Sequence, residues 1–350
     1  MKTLYSKNTY QLLLLSFLLI SCDSGKKEQK KREIQQIKID QPEVVANFDS
    51  HGLVQPYAIN VMQNGNVVTI DGSQKEVLVL KPNGELNVKF GREGKGPGEF
   101  IMPLDIQFAG NAINIIDINQ YKVIRFDNEG SFIDSYSYGT TSAKRKIVLL
   151  DEHTYVTGTQ GLNNHLLEIG SFIDDSTNSF GETKGEPEKV VDFQKAIKMI
   201  SNGEIPGIFK NSTTLFYEEG FIYAFLDSYS ELRKYSLMGD LIWEKSIELP
   251  YNEEIFDSVV EANKKIQGRL IAITYIYDLN VVNDNVYLLT KKTEDKPQLI
   301  VKIDANGDTH SIYTLPDSES YFTGFAFDTK RELVYFTSTS GEIAKAPFKL

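Results

Sequence analysis

Four segments of the 350-residue chain repeat one pattern of apolar and polar positions. A short strand-forming run is followed by three residues, a glycine and a polar residue. Val77-Leu78-Val79-Leu80 leads to Gly84, and Val123-Ile124-Arg125-Phe126 leads to Gly130. Leu232-Arg233-Lys234-Tyr235 leads to Gly239, and Leu299-Ile300-Val301-Lys302-Ile303 to Gly307. Each predicts a strand entering a tight hairpin, with the glycine supplying positive φ. A further strand follows, as over 86–90 and 241–243, and an apolar strand precedes the unit over 67–71, 112–117 and 221–227. Four short strands per unit is the content of one propeller blade.

The repeat returns every 43 to 46 residues, stretched to 66 and 68 in two intervals, so six units fit. The two long intervals carry helical spacing. Val190, Phe193, Ile197 and Ile200 follow Pro187 and stop at Asn202-Gly203, while Ile255, Val259, Ala262 and Ile266 follow Asn252, with Lys264-Lys265 before Gly268. Pro or Asn at the start, late lysines and a terminal Gly are helix-boundary chemistry. Helical insertions are therefore expected over about 186–203 and 252–268, capped by Pro187 and Asn252, their apolar stripes covering blade edges. The last unit supplies only three strands, over 321–328, 332–339 and 342–348. The alternating segment 34–39 is expected to pair beside 342–348, which removes two exposed edges together. The expected fold class is all-β: a six-bladed β-propeller of four-stranded blades over 36–350, closed by an N-terminal strand.

The first 25 residues change the picture from fold to address. Lys2 and Lys7 precede a nearly continuous apolar run over 12–20, too short for a membrane span of ~20 residues and fitting a secretory signal. Leu19-Ile20-Ser21-Cys22 then resembles a bacterial lipobox, which implies cleavage after residue 21 and acylation of Cys22, with palmitate among the chains added. Cys22 is the only cysteine, so the mature domain holds no internal disulfide. Residues 22–35 are polar and charged and are expected to be a flexible tether. The chain is thus expected to be exported and lipid-anchored at the outer membrane, touching the bilayer through that lipid alone.

Net charge is −11, and −13 without residues 1–21. That balance argues against nucleic acid as a partner. Chemical motifs are few. The loop 91–100 is glycine-rich and adds Arg92 and Lys95, candidates for an anion. However, a P-loop needs glycine where Lys89 stands, and a dinucleotide fingerprint needs it where Glu99 stands. The loop then reads as a tight crossover between blades whose amides form at most a weak anion nest. Asp304, Asn306 and Asp308 imitate a calcium loop, but Thr309 occupies the glycine position and Leu315 the bidentate acid's. His51, His153, His165 and His310 are scattered, and no nucleophile elbow occurs. Asp71, Asp117 and Asp227 recur once per blade, which favours turn capping over catalysis.

The segment Gly91-Arg92-Glu93-Gly94-Lys95-Gly96-Pro97-Gly98-Glu99-Phe100 resembles the signature of six-bladed β-propeller lipoproteins of Bacteroidota, related in architecture to NHL-repeat and TolB-type propellers. Asp71–Val77 and Asp117–Val123 resemble the Asp-containing turn of NHL repeats. The resemblance implies a fold and no shared reaction. The leading expectation is a non-enzymatic binding module for a protein, peptide or glycan, with no cofactor. One alternative is a metal-dependent propeller enzyme, lactonase- or lyase-like, using the central channel and calcium or zinc there. The other is a structural component of an envelope complex in which the helical insertions are contact surfaces.

Overall fold

The computed structural model describes residues 33–139, 147–174, 176–186, 192–266 and 269–350, so Cys22, the signal segment, most of the tether, Pro187, Val190 and Gly268 lie outside them. Residues from Ile34 to Leu350 form one unit. Two short strands open it, β1 (Gln35–Lys38) and β2 (Glu43–Ala46), followed by the helical turn α1 (Phe48–His51). The first blade is β3 (Pro56–Val61), β4 (Val67–Asp71), β5 (Glu76–Leu80) and β6 (Leu86–Phe90). The second is β7 (Pro103–Ala109), β8 (Ala112–Asp117), β9 (Lys122–Phe126) and β10 (Phe132–Ser137). The third is β11 (Ile147–Leu149), β12 (Thr154–Gly158), β13 (Leu167–Ser171) and β14 (Thr177–Phe180). After the helices α2 (Phe193–Ser201) and α3 (Gly207–Lys210) comes the fourth: β15 (Thr213–Glu218), β16 (Phe221–Leu226), β17 (Glu231–Ser236) and β18 (Leu241–Ser246). The helix α4 (Asn252–Lys265) leads to the fifth: β19 (Ile276–Val282), β20 (Asn285–Thr290), β21 (Leu299–Ile303) and β22 (Thr309–Thr314). The sixth has β23 (Phe322–Asp328), β24 (Leu333–Ser338) and β25 (Ile343–Pro347).

Burial follows position in the blade. The second strands β4 and β8 are buried at every residue, and β16 and β20 at all but their first, because a neighbouring blade covers each face. The fourth strands β6, β10 and β18 are exposed at alternate positions or more. One apolar cluster fills each of the six seams between blades: Val79 meets Ile106 between the first and second, Phe225 meets Leu288 between the fourth and fifth. Each seam is a sheet-on-sheet core, so stability comes from neighbours and not from a blade alone.

The hairpin glycines Gly84, Gly130, Gly239 and Gly307 all have positive φ, between 81° and 90°. All four also admit a neighbouring blade, Gly84 the Val45 carbonyl of β2 at 3.1 Å and Gly239 the Phe180 ring of the third blade at 2.8 Å from a built Cβ. A Cβ on Gly130 would lie 2.5 Å from the Phe90 ring of the first blade, and one on Gly307 would lie 3.2 Å from the Trp243 ring of the fourth. The repeat pattern therefore records blade packing as well as turn type.

The ring closes differently from the sequence expectation. The sixth blade is completed by β2, antiparallel to β25 with Glu43 opposite Lys345 and Ala46 opposite Ile343. Segment 34–39 does not reach 342–348. Its strand β1, which takes Gln35 out of the expected tether, lies parallel to β22 as a fifth strand of the fifth blade, Gln35 opposite Ser311 and Lys38 opposite Thr314. The reason is reach: β2 ends ten residues before β3, a crossover that α1 fills. A closing strand ending at Ile39 would leave a longer unsupported span. Ile37 and Ile39 still pack into the seam between the fifth and sixth blades.

The helices also depart in detail. α2 starts at Phe193, capped by the Asp192 carboxylate, which accepts from the Lys195 amide at 3.0 Å. Asn252 lies within α4, and Tyr251 in the left-handed region precedes it as the cap. Their apolar residues pack on each other: Ile200 of α2 joins Val259, Val260 and Ile273 in a separate small core, where blade-edge cover was expected.

Candidate functional site: the central channel

The first strands β3, β7, β11, β15, β19 and β23 face the ring axis and enclose a channel of about 1150 Å³. First strands of adjacent blades diverge too far to share a ladder, so each exposes edge N–H and C=O groups. Side chains satisfy them. Asn60 Nδ2 donates to Ile106 O (3.1 Å), and Asn280 Nδ2 donates to Phe325 O (2.8 Å). Gln107 makes both bonds to the next blade, donating to Ile147 O (2.8 Å) and accepting from Leu149 N (2.7 Å). Asp278 accepts from its neighbour Leu279 N (2.9 Å) and from Phe325 N (3.0 Å) in the sixth blade. Asp105 accepts from Ile106 N (2.8 Å) and from Gln107 Nε2 (2.6 Å).

Between these polar groups the wall is apolar and aromatic, with Tyr57, Leu104, Phe108, Phe216, Tyr217 and Tyr277. Burial pushes the Tyr57 phenol far up, and Asp117 and Asp71 add to it. Burial likewise raises Tyr277, whose ring stacks on Tyr321 at 5.1 Å. Both stay neutral and able to donate. Among the charged residues on the wall, Asp105, Asp151, Glu152 and Asp278 outnumber Lys75.

The sequence candidates sit elsewhere. Asp71 accepts from the amides of Val54, Gln55, Ser73 and Gln74, so it ties its turn to the incoming crossover. Asp117 does the same with Ile101, Met102, Asn119 and Gln120. Asp227 departs from that pattern and accepts from the hydroxyls of Ser212 and Thr214. None of the three is on the channel wall.

In the glycine-rich loop, the Glu99 carboxylate occupies the place an outside anion would take. It accepts from Gly96 N (2.8 Å) and pairs with Arg92 (2.8 Å), and these contacts hold its carboxyl below the usual range. A Cβ on Gly94 would overlap that carboxylate. Arg92 is thereby committed to the loop, and Lys95 is exposed beside it. The calcium-like trio is a hairpin cap: Asp304 accepts from the amides of Asn306 (2.9 Å) and Asp308 (3.1 Å). Among the described residues no three His, Cys, Asp or Glu side chains gather at metal-binding distance.

Sequence reasoning missed the polar belt of the channel. The signal was available: Ala58-Ile59-Asn60, Asp105-Ile106-Gln107 and Asp278-Leu279-Asn280 place a carboxamide two residues after a small or acidic residue in three first strands. The repeat signal starts at the second strand of each blade, so these first-strand positions stand outside it.

Fold and channel together define a six-bladed β-propeller protein. The sequence profile of DUF5128, described as a 6-bladed beta-propeller family, matches residues 48–228, just over half the chain. The chain belongs to that family. Among solved structures it is similar to a protein of Bacteroides fragilis provisionally described as exported, at 12% identity and TM-score 0.56, covering 90% of this chain and 99% of that one. A member of the DUF4221 family from Bacteroides vulgatus aligns at 8% identity and TM-score 0.53, covering 89% and 95%. A streptogramin B lyase aligns at 11% identity and TM-score 0.51, covering 85% and 94%. At these identities the likeness is one of fold. No curated protein sequence matches the chain. Among the described residues no helix is long and apolar enough to cross a membrane.

Proposed function

We propose that this chain is an exported, lipid-anchored envelope protein, held at the outer membrane through acylated Cys22, whose propeller binds a protein, peptide or glycan without transforming it. The observation that carries the binding reading is the polar belt: the carboxamides of Asn60, Gln107 and Asn280 and the Asp278 carboxylate are engaged in joining blades, Asp105 holds Gln107, and Asp151 caps a turn of its own blade. What remains toward the axis is an aromatic and apolar surface in a cavity of ligand-binding size. Export is supported by the signal-like N-terminus and by likeness to the Bacteroides fragilis protein described as exported.

The test uses the soluble Cys22→Ser protein on peptide and glycan arrays, beside a Val148→Trp variant that fills the channel. Binding that is lost in the filled variant, at an unchanged melting temperature, is the expected result. The enzymatic reading takes over if purified protein carries stoichiometric calcium or zinc and Asp105→Asn or Asp278→Asn loses both metal and turnover while melting normally. For the anchor, fatty-acid labelling in cells should be abolished by Cys22→Ser. Undiminished labelling of that variant would refute acylation at this residue.

A further inference from the structure

The hairpins joining third and fourth strands lie on one rim of the ring, and their tips differ. In the first, second and fifth blades the two tip residues before the glycine are Pro82-Asn83, Asn128-Glu129 and Ala305-Asn306. In the fourth they are Leu237-Met238, with Met238 80% exposed, and Leu241 and Ile242 stand half-exposed just beyond. The adjacent third blade places Ile173, 69% exposed, at its own hairpin. Large apolar side chains at such exposure are costly in water. Leu241 and Ile242 have counterparts of similar exposure in Leu86 of the first blade and Phe132 and Ile133 of the second, so the tip residues Leu237, Met238 and Ile173 are what set this part of the rim apart.

The same rim receives the N-terminal chain. β1 runs parallel to β22, and Gln35 lies opposite Ser311, near the start of the strand that leaves the 304–308 hairpin. That hairpin is fastened to the fourth blade: Trp243 Nε1 donates to Ala305 O, and Lys245 pairs with Asp308, each at 3.1 Å. The chain therefore enters the ring beside the apolar tips. From Cys22 to Gln35 at that entry is thirteen residues, a reach of at most ~47 Å fully extended.

We propose that the third- and fourth-blade side of this rim is a membrane-docking edge, with Leu237, Met238 and Ile173 seated in the interfacial layer of the bilayer to which Cys22 is anchored. The inference rests on the lipid-anchor reading. Docking holds the opposite face, where α2 and α4 lie on the crossovers between blades, away from the membrane. The occupant is a lipid surface and not a second protein because the short tether keeps this rim within reach of the bilayer throughout. Seated side chains of this kind need no groove, only an interface of mixed polarity.

The lipidated full chain, reconstituted in phosphatidylethanolamine–phosphatidylcholine vesicles, provides the test. Cys22 is the only native cysteine and its sulfur is blocked by lipid, so Met238→Cys introduces a single thiol for an environment-sensitive fluorophore. Glu129→Cys, at the equivalent tip of the second blade, is the control. The expected result is flotation with the vesicles, with a blue-shifted probe quenched by nitroxide lipids at 238 and a water-like probe at 129. Flotation with a water-like probe at both positions overturns docking and leaves the anchor standing. Blue shift at both positions overturns the assignment to the third- and fourth-blade side of the rim. Failure to float overturns the anchor and, with it, the docking that depends on it.

Discussion

Asp117→Asn keeps the shape of the side chain and removes one acceptor oxygen. Asp117 is fully buried, and its two oxygens take five donors. Oδ1 accepts from Asn119 N (3.1 Å) and Gln120 N (2.9 Å), while Oδ2 accepts from Ile101 N (2.6 Å), Met102 N (3.1 Å) and Gln120 Nε2 (3.1 Å). An amide retains one of those oxygens and turns an NH2 toward the other set, so at least two backbone amides lose their partner. At about 1–3 kcal/mol for each buried donor left unmade, the expected loss is about 2–6 kcal/mol. That exceeds the ~1 kcal/mol of an ordinary turn cap. Asp227→Asn is the internal contrast: its partners are two hydroxyls, which can reverse donor and acceptor roles, so about 1 kcal/mol is expected. Urea unfolding of the soluble Cys22→Ser protein, followed by Trp243 fluorescence, measures both. Equal losses at the two sites, or a loss below ~1 kcal/mol at Asp117, would refute the reasoning that the second blade's carboxylate fastens a crossover as well as a turn.

Three further outcomes are expected. Removing residues 34–39 should leave a cooperatively folding ring with a lowered melting temperature, whereas also removing 40–46 should prevent closure; circular dichroism melts that do not separate the two deletions would place closure elsewhere. Gly307→Ala should cost about 1 kcal/mol more than Gly220→Ala by thermal unfolding: both have positive φ, but a Cβ at 307 meets Trp243 and Lys245 and one at 220 meets nothing within 4 Å. Burial raises the Glu218 carboxyl above its ordinary value, against the amides of Asp284 and Asn283, which lower it. A raised folded-state pKa favours the protonated form, so this group's contribution to stability falls as pH rises from the ordinary carboxylate value through the folded one. Glu218→Gln should flatten that part of the stability–pH curve, and a curve unchanged by the substitution would show that Glu218 does not set it.

The repeat was legible because its signals are local. A strand, a turn and a glycine lie within ten residues, and apolar runs buried on both faces need no partner to be recognised. What was not legible depended on distant partners. Segments 34–39 and 43–46 both suit a sheet edge, and only the crossover length to β3 chooses between them. Asp71 and Asp117 looked like turn caps because Ser73 and Asn119 are near in sequence; the amides of Val54 and Ile101 come from another connection. Asn60, Gln107 and Asn280 look like ordinary strand polars until the diverging first strands are seen to need bridging. Pairing of α2 with α4 could not be read from two separate stripes, each equally suited to a blade.

The chain's first two strands divide a mechanical load. Tension arriving along the N-terminal segment reaches β1 before β2. β1 is bound along its length to β22, four residue pairs in register, with Ile39 N adding a bond to Thr314 O at 3.0 Å. A pull along the strand axis loads those bonds together in shear instead of opening them one after another. The strand that seals the ring lies behind this clamp, joined to it by the connecting segment 39–42. β1 thus works as a strain relief: it takes the force on the fifth blade, and the seam that holds the circle shut stays unloaded until β1 slips.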